Sequence, residues 1–111
     1  MYIVLDSSMA TVPIQIVRFV DEHQPGWVEC LMSDAEGIEH RFIEKAPVVT
    51  GKILSAASAY PQAGVIACEV IAQWSDVNGR AVSRVTTRRP WGIKSVAGAS
   101  EFVVSSELVR P

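Results

Sequence analysis

The chain has 111 residues, 49% of them hydrophobic, and a formal net charge of −2 at pH 7. This length suits a single domain, and the apolar content is typical of a folded globule rather than a disordered chain. The slightly acidic balance excludes a global attraction to nucleic acid or to anionic membranes, and the apolar runs are shorter than the ~20 residues of a membrane-spanning helix.

Residues 1–10 are predicted to form a partly ordered, flexible leader, with Met9 as an alternative start. The segment has no basic region, and Asp6 comes too early for a signal peptide. The two cysteines, Cys30 and Cys68, lie inside apolar runs, and so small a number does not suit a disulfide scaffold. We therefore expect reduced, buried cysteines, a cytoplasmic location and one domain over residues 11–111.

The first strand is predicted over Thr11–Val20. Its β-branched residues alternate so that Val12, Ile14 and Ile16 share one face. Pro13 cannot donate a hydrogen bond to a neighbouring strand, which favours an edge or a strand start at that position.

A hairpin is predicted next, with strands over 27–32 and 38–44 joined by the polar loop 33–37 that ends in glycine. Ile38 and Phe42 are expected to face inward with His40 between them. Residues 46–64 interrupt the strand pattern, and a short helical turn is predicted over 50–58 with Thr50 as its N-cap.

A second hairpin is predicted between Gly64 and Arg88, where two strand-like runs flank Asn78-Gly79. That dipeptide favours a two-residue type I′ turn. In the resulting register Trp74 faces Ser83 and Glu69 faces Arg88 as an oppositely charged pair.

The remaining chain is predicted to contain two more strands, over 91–96 and 101–109, separated by a turn at 97–100. Arg89-Pro90 marks the break before them. Six to seven short, mainly antiparallel strands with one short helical turn indicate an all-β domain. A small SH3-like or OB-like barrel fits this size best.

No motif in the chain identifies a reaction. His23, Cys30, His40 and Cys68 are the residue types of a structural zinc site, but they lack the close spacing of a zinc knuckle. Cys30 and His40 lie on partner strands, yet packing explains them better than nucleophilic catalysis. We predict no catalytic residue, no cofactor and no metal.

One basic surface is the candidate binding site. Arginines recur along the predicted second strand of the central hairpin, and an aromatic residue and a lysine follow at once. The candidate residues are Arg84, Arg88, Arg89, Trp91 and Lys94. Cations beside an aromatic ring can hold single-stranded nucleic acid, and arginines equally receive carboxylates. The alternative is a solvated outer face that is partly neutralised by Glu69.

Four phrases of the sequence, RFVDEHQPGWVEC, HRFIEKAPVV, SAYPQAGVIACEV and TRRPWGIKS, are similar to a group of short bacterial proteins with no assigned function. The resemblance covers Val17 to about Val109. It implies a bacterial cytosolic origin and transfers no activity.

The absence of catalytic motifs favours a non-enzymatic protein-binding module, such as an adaptor or an immunity-type protein. The first alternative is a single-stranded nucleic-acid-binding module, which the acidic balance disfavours. The second is an enzyme or small-ligand binder whose site is assembled from unlinked residues. Homo-oligomers through edge strands are a further expectation, and a membrane partner is not.

Overall fold

The computed structural model describes the backbone of residues 2–111 and the side chains of residues 8–111. Six strands follow one another along this part of the chain, with a single turn of α-helix, α1, after the third and a 3₁₀ turn at the end. They are β1 (Tyr2–Asp21), β2 (Trp27–Ser33), β3 (Glu39–Lys45), α1 (Ala46–Val49), β4 (Gln62–Ser75), β5 (Ala81–Thr86), β6 (Glu101–Ser105) and the 3₁₀ turn Ser106–Leu108.

The six strands form one antiparallel sheet in the order β3-β2-β1-β4-β5-β6. The sheet curls into a half-barrel, which confirms the predicted all-β, barrel-like class. Two loops contact the edge strands. The Val96 N–H donates to the Arg41 carbonyl of β3, and the Ala35 N–H donates to the Val103 carbonyl of β6, both at 2.8 Å.

The long strand β1 is the centre of the sheet. It pairs with β4 from residue 2 to residue 16 and with β2 from residue 15 to residue 21. Thr11 also forms an isolated bridge with Arg110. Pro13 lies between that bridge and the start of the β2 pairing. The pairing on this side of β1 is interrupted there, so the N–H that proline lacks costs the sheet no hydrogen bond.

The core fills the inside of the curl with residues from every strand. The predicted inward face of β1 is confirmed, since Val12, Ile14 and Ile16 are buried. Phe42 is also buried as predicted, whereas Ile38 is exposed. The other large members of the core are Val28, Cys30, Met32, Val49, Ile66, Cys68, Val70, Val85, Ile93, Phe102 and Val104.

The central hairpin is confirmed as β4–β5, but its predicted register is wrong by one residue. Trp74 faces Val82 and Ser75 faces Ala81, which leaves a loop longer than a two-residue turn. A type I′ turn would need positive φ at Asn78, and only Gly79 has it, at 78°. A further irregularity between Val70 and Ala72 shifts the pairing by another residue, so Glu69 faces Thr86 and the predicted pairing of Glu69 with Arg88 is wrong.

Three predicted elements differ in the structure. The strand predicted over 101–109 ends at Ser105 and is followed by the 3₁₀ turn. The helical turn spans Ala46–Val49 rather than 50–58, and Thr50 is its C-cap, not its N-cap. Thr50 has extended backbone angles, so the helix ends there. Residues 91–96 form an irregular connection instead of a strand. β1 takes in most of the segment for which a flexible leader is predicted, and the mobility of that segment stays a prediction.

A substitution at Gly64 measures how tightly α1 packs against β4. A Cβ atom at this position would lie 2.7 Å from the Val49 carbonyl oxygen and 3.0 Å from the Cδ1 atoms of Ile14 and Ile16. We expect Gly64→Ala to lower the free energy of unfolding by about 1–3 kcal/mol, because backbone and core must both shift. Chemical denaturation measures the change.

Gly51→Ala is the matched control, because a Cβ there would meet nothing within 4 Å. We expect its free energy of unfolding to stay within about 0.5 kcal/mol of the parent. Equal stability of both variants would contradict the close packing of α1 against β4.

Candidate functional site

Two of the five predicted basic-site residues are engaged in ion pairs. Arg89 donates through Nε and Nη2 to the two carboxylate oxygens of buried Glu69, at 3.0 and 2.8 Å. The hydrogen bonds to that carboxylate raise the pKa of Arg89 above its usual value. Arg84 lies 3.7 Å from a Glu101 carboxylate oxygen and 5.8 Å from the centre of the Trp74 ring. Neither guanidinium is a free anion receptor.

The other three, Arg88, Trp91 and Lys94, are exposed on the connection between β5 and β6. The Trp91 side chain is 65% exposed. Arg88 and Lys94 make no ion pair with any side chain that the structure describes. The structure therefore reduces the predicted basic surface to two cations and one indole.

The part of this connection that contains Trp91 is anchored by hydrogen bonds between Thr87 and Ile93. The Thr87 hydroxyl donates to the Ile93 carbonyl at 2.7 Å, and the Ile93 N–H returns a bond to the Thr87 carbonyl at 2.9 Å. The Gly92 N–H donates to the Arg88 carbonyl at 2.7 Å. Because Thr87 and Ile93 are buried, the short turn between them is held on the core and presents Trp91 outward.

A groove of about 570 Å³ lies at the opposite end of the β4–β5 hairpin. Its two walls are the loop 34–38 between β2 and β3 and the loop 76–80 between β4 and β5, and part of β6 lines the space between them. The aromatic lining residues are His40, Trp74 and Phe102, the acidic ones are Asp34, Glu36, Asp76 and Glu101, and the apolar ones are Ala35, Val77, Val82 and Val103.

The first wall is built around one carboxylate oxygen. Asp34 Oδ1 accepts the N–H of Glu36 at 2.9 Å and the N–H of Ile38 at 3.0 Å. The Asp34 N–H donates to the Ile38 carbonyl, and the Gly37 N–H donates to the Asp34 carbonyl. Gly37 has φ of 81°, which glycine adopts without strain. The loop is thus closed by four local hydrogen bonds.

The second wall has the same pattern of hydrogen bonds, centred on Asp76. Asp76 Oδ1 accepts the N–H of Asn78 and the N–H of Arg80, both at 2.9 Å. The Asp76 N–H donates to the Arg80 carbonyl, and the Gly79 N–H donates to the Asp76 carbonyl. Both walls share the pattern Asp-x-x-Gly-x.

A third loop, 95–99, has serine in place of aspartate. Ser95 Oγ accepts the Ala99 N–H at 3.0 Å, and Gly98 has φ of 90°. The groove was not predicted from the sequence, although the recurring pattern Asp/Ser-x-x-Gly-x is a local signal for its walls.

The second carboxylate oxygen of each aspartate holds a neighbouring side chain. Asp34 Oδ2 lies 2.8 Å from His40 Nε2, and Asp76 Oδ2 accepts from the Arg80 guanidinium at 3.0 Å. Partial burial alone would raise the pKa of Asp34, but the hydrogen bonds from His40 and from two loop amides lower it. The Arg80 N–H is the main cause of a lowered pKa at Asp76. Both carboxylates are ionised at neutral pH.

The floor of the groove is continuous with the core. The His40 ring meets the Phe102 ring edge to face, with centroids 4.8 Å apart, and Phe102 meets Phe42 in the same way at 5.7 Å. The Ala35 N–H bond to Val103 ties the first wall to β6. The base of the groove is therefore anchored to the core and to β6.

Within residues 8–111, the cysteines are not activated and the possible metal ligands are not grouped. Burial is the main cause that raises the pKa of Cys30 to about 12 and that of Cys68 to about 11, so both remain protonated at neutral pH. Among the side chains of residues 8–111, no three His, Cys, Asp or Glu residues are grouped to hold a metal ion.

Comparisons with models of protein families, with curated proteins and with solved structures gave no match. Within the described part of the chain, no helix has the length and apolar character needed to cross a membrane.

The two wall aspartates predict an acid-sensitive stability. Because their folded-state pKa values lie below the ordinary 3.8, their contribution is complete above that pH and is lost as the pH falls through the lowered values. Asn keeps an acceptor oxygen but not the charge. We therefore expect Asp34→Asn/Asp76→Asn to lower the Tm by about 5 °C at pH 7, and the difference from the parent to shrink as the pH falls below 3.8.

Thermal unfolding across this pH range measures the effect. The control is Glu22→Gln, which removes an exposed carboxylate that makes no ion pair in the described part of the chain. A loss of Tm in the double variant that stays constant from pH 7 to pH 2 would contradict a contribution from charge.

Proposed function

We propose that the chain is a non-enzymatic, SH3-like protein-binding module of the bacterial cytoplasm, of the adaptor or immunity type. The groove between the loops 34–38 and 76–80 holds a segment of the partner. The observation that carries this proposal is the aromatic floor between two walls that are fixed before any ligand arrives. Such pre-organisation reduces the ordering cost of binding. The resemblance to short bacterial proteins and the two free cysteines support the cellular setting.

The groove suits binding better than catalysis. His40 and Asp34 form a hydrogen-bonded pair of the kind that activates a nucleophile, but no serine, threonine or cysteine is among the described residues that line the groove. The pair instead fixes the histidine ring against Phe102. Its contribution is to the shape of the floor.

The groove is also a better binding site for a partner than the edge strands β3 and β6. The carbonyls of Arg41 on β3 and Val103 on β6 already accept hydrogen bonds from loops of the same chain. Addition of a partner strand at either edge would have to displace these bonds. Edge-to-edge homo-oligomers are therefore less favoured than occupation of the groove.

A comparison of three tagged proteins tests the proposal in the lysate of the source organism, with and without nuclease. Glu36→Lys/Val77→Lys changes two exposed residues that line the groove, and Glu22→Lys/Ile53→Lys makes the same changes in charge on exposed residues elsewhere. We expect one protein to be captured stoichiometrically by the parent and the control variant. The groove variant should lose it, because both changes place cations and bulk at the groove.

The unfolding midpoints of all three proteins should agree, since each substituted side chain is exposed. Capture of the same protein by all three would show that binding occurs outside the groove. Capture that disappears with nuclease would replace a protein partner with nucleic acid.

A second candidate function is single-stranded nucleic-acid binding at the β5–β6 connection. The observation that favours it is the exposed Trp91 ring, which lies in sequence between Arg88 and Lys94, two cations that form no ion pair with a described side chain. An exposed indole can stack on a base while neighbouring cations contact phosphates. Arg84 and Arg89, already in ion pairs, would contribute little.

Titration of a fluorescent single-stranded oligonucleotide checks this function. If the chain binds single strands in this way, its affinity falls as the salt concentration rises. Arg88→Ala/Lys94→Ala then makes the negative slope of log K against log [salt] shallower by about 1.4. Lys52→Ala, which removes an exposed lysine elsewhere, should leave binding unchanged. Absent or salt-independent binding by the parent protein would rule out this candidate.

A further inference from the structure

We infer that the occupant of the groove is a short, extended, cationic protein segment, in which a lysine or arginine is next to an apolar residue. The inference rests on the proposed function, because it specifies what the same groove binds. It is carried by the charges of the walls, the chemistry of the floor and the size of the space.

The groove is lined by more acidic than basic side chains. Four carboxylates line the groove, and Arg80 is the sole arginine or lysine among the lining residues in the described part of the chain. That guanidinium is already paired with Asp76. Glu36 is exposed and makes no ion pair with a described side chain, and Glu101 has only a long contact of 3.7 Å with Arg84. An incoming cation would complete this charge balance.

The floor is suited to an apolar or cationic side chain. Trp74 and His40 contribute aromatic side chains beside the almost fully buried Phe102 ring. The Arg84 guanidinium lies 5.8 Å from the centre of the Trp74 ring, within cation–π distance. Val77 is fully exposed at the tip of the second wall, where it adds apolar surface at the rim.

The size of the groove limits the shape of the occupant. A volume of about 570 Å³ is that of a site for a drug-sized ligand, which corresponds to a few residues. An extended segment can place alternate side chains into the groove and leave the others in solvent.

Three synthetic peptides of equal length and apolar composition test the inference. They differ only in net charge, which is positive, neutral or negative. Amide and indole chemical shifts of the ¹⁵N-labelled full chain report where each peptide binds. We expect the cationic peptide alone to shift the signals of residues 34–38, 76–80 and 101–103. Its affinity should fall about tenfold in Glu36→Gln/Glu101→Gln.

The matched control is Glu22→Gln/Glu107→Gln, which removes two exposed carboxylates outside the groove and should keep the parent affinity. If the neutral peptide binds the groove as tightly as the cationic one, the proposed function stands and the cationic preference is wrong. If no peptide shifts the groove signals, both fail.

A second copy of the chain is the competing occupant, since Arg88, Trp91 and Lys94 make a cationic, aromatic surface of the required chemistry. Shifts of the groove signals that depend on protein concentration without peptide, and that vanish in Trp91→Ala, would identify this occupant. That result would overturn the assignment to a partner protein.

Discussion

The groove depends on the carboxylate oxygen Oδ1 of Asp34 and its counterpart in Asp76, each of which accepts two backbone N–H groups of its own loop. These bonds satisfy amides that would otherwise be unpaired where the strands separate. They also set the number of residues in each loop, and hence which residues of the adjoining strands face each other. The position of the Trp74 ring beside the groove follows from that register.

Alternation of apolar residues was enough to predict the hairpins and most of the core, because burial of one sheet face requires it. It could not determine the register near Asn78-Gly79, where a two-residue turn and a longer loop use the same glycine. The side chain of Asp76 decided between them. The pattern of that loop is local and could have been recognised in the sequence. The groove could not, because it needs His40 and Phe102, 62 residues apart, to meet across the curl.

The predicted basic surface illustrates the same limit for charge. Sequence spacing predicted one basic surface of five residues. In the folded chain, Glu69 of β4 pairs with Arg89, and Glu101 of β6 pairs with Arg84. The exposed Arg88, Trp91 and Lys94 lie on the β5–β6 connection, whereas the carboxylates Asp34, Glu36 and Asp76 lie on the two loops that wall the groove at the other end of the β4–β5 hairpin. A net charge of −2 conceals this separation. Opposite ends of this kind can orient the protein in the field of a partner before contact.

The bridge between Thr11 and Arg110 also has a consequence for how the molecule folds. The first strand pairs locally with β2 only from residue 15 onward. The rest of it takes partners from the middle of the chain and from its last residues, so most of its hydrogen bonding cannot form locally. Folds dominated by such distant pairings acquire structure slowly, because long loops must close before any contact rewards them. During synthesis β1 leaves the ribosome well before β4 exists to cover it. A β-rich chain of this topology is therefore most exposed to misassociation as a nascent polypeptide, when its central strand has not yet found its neighbours.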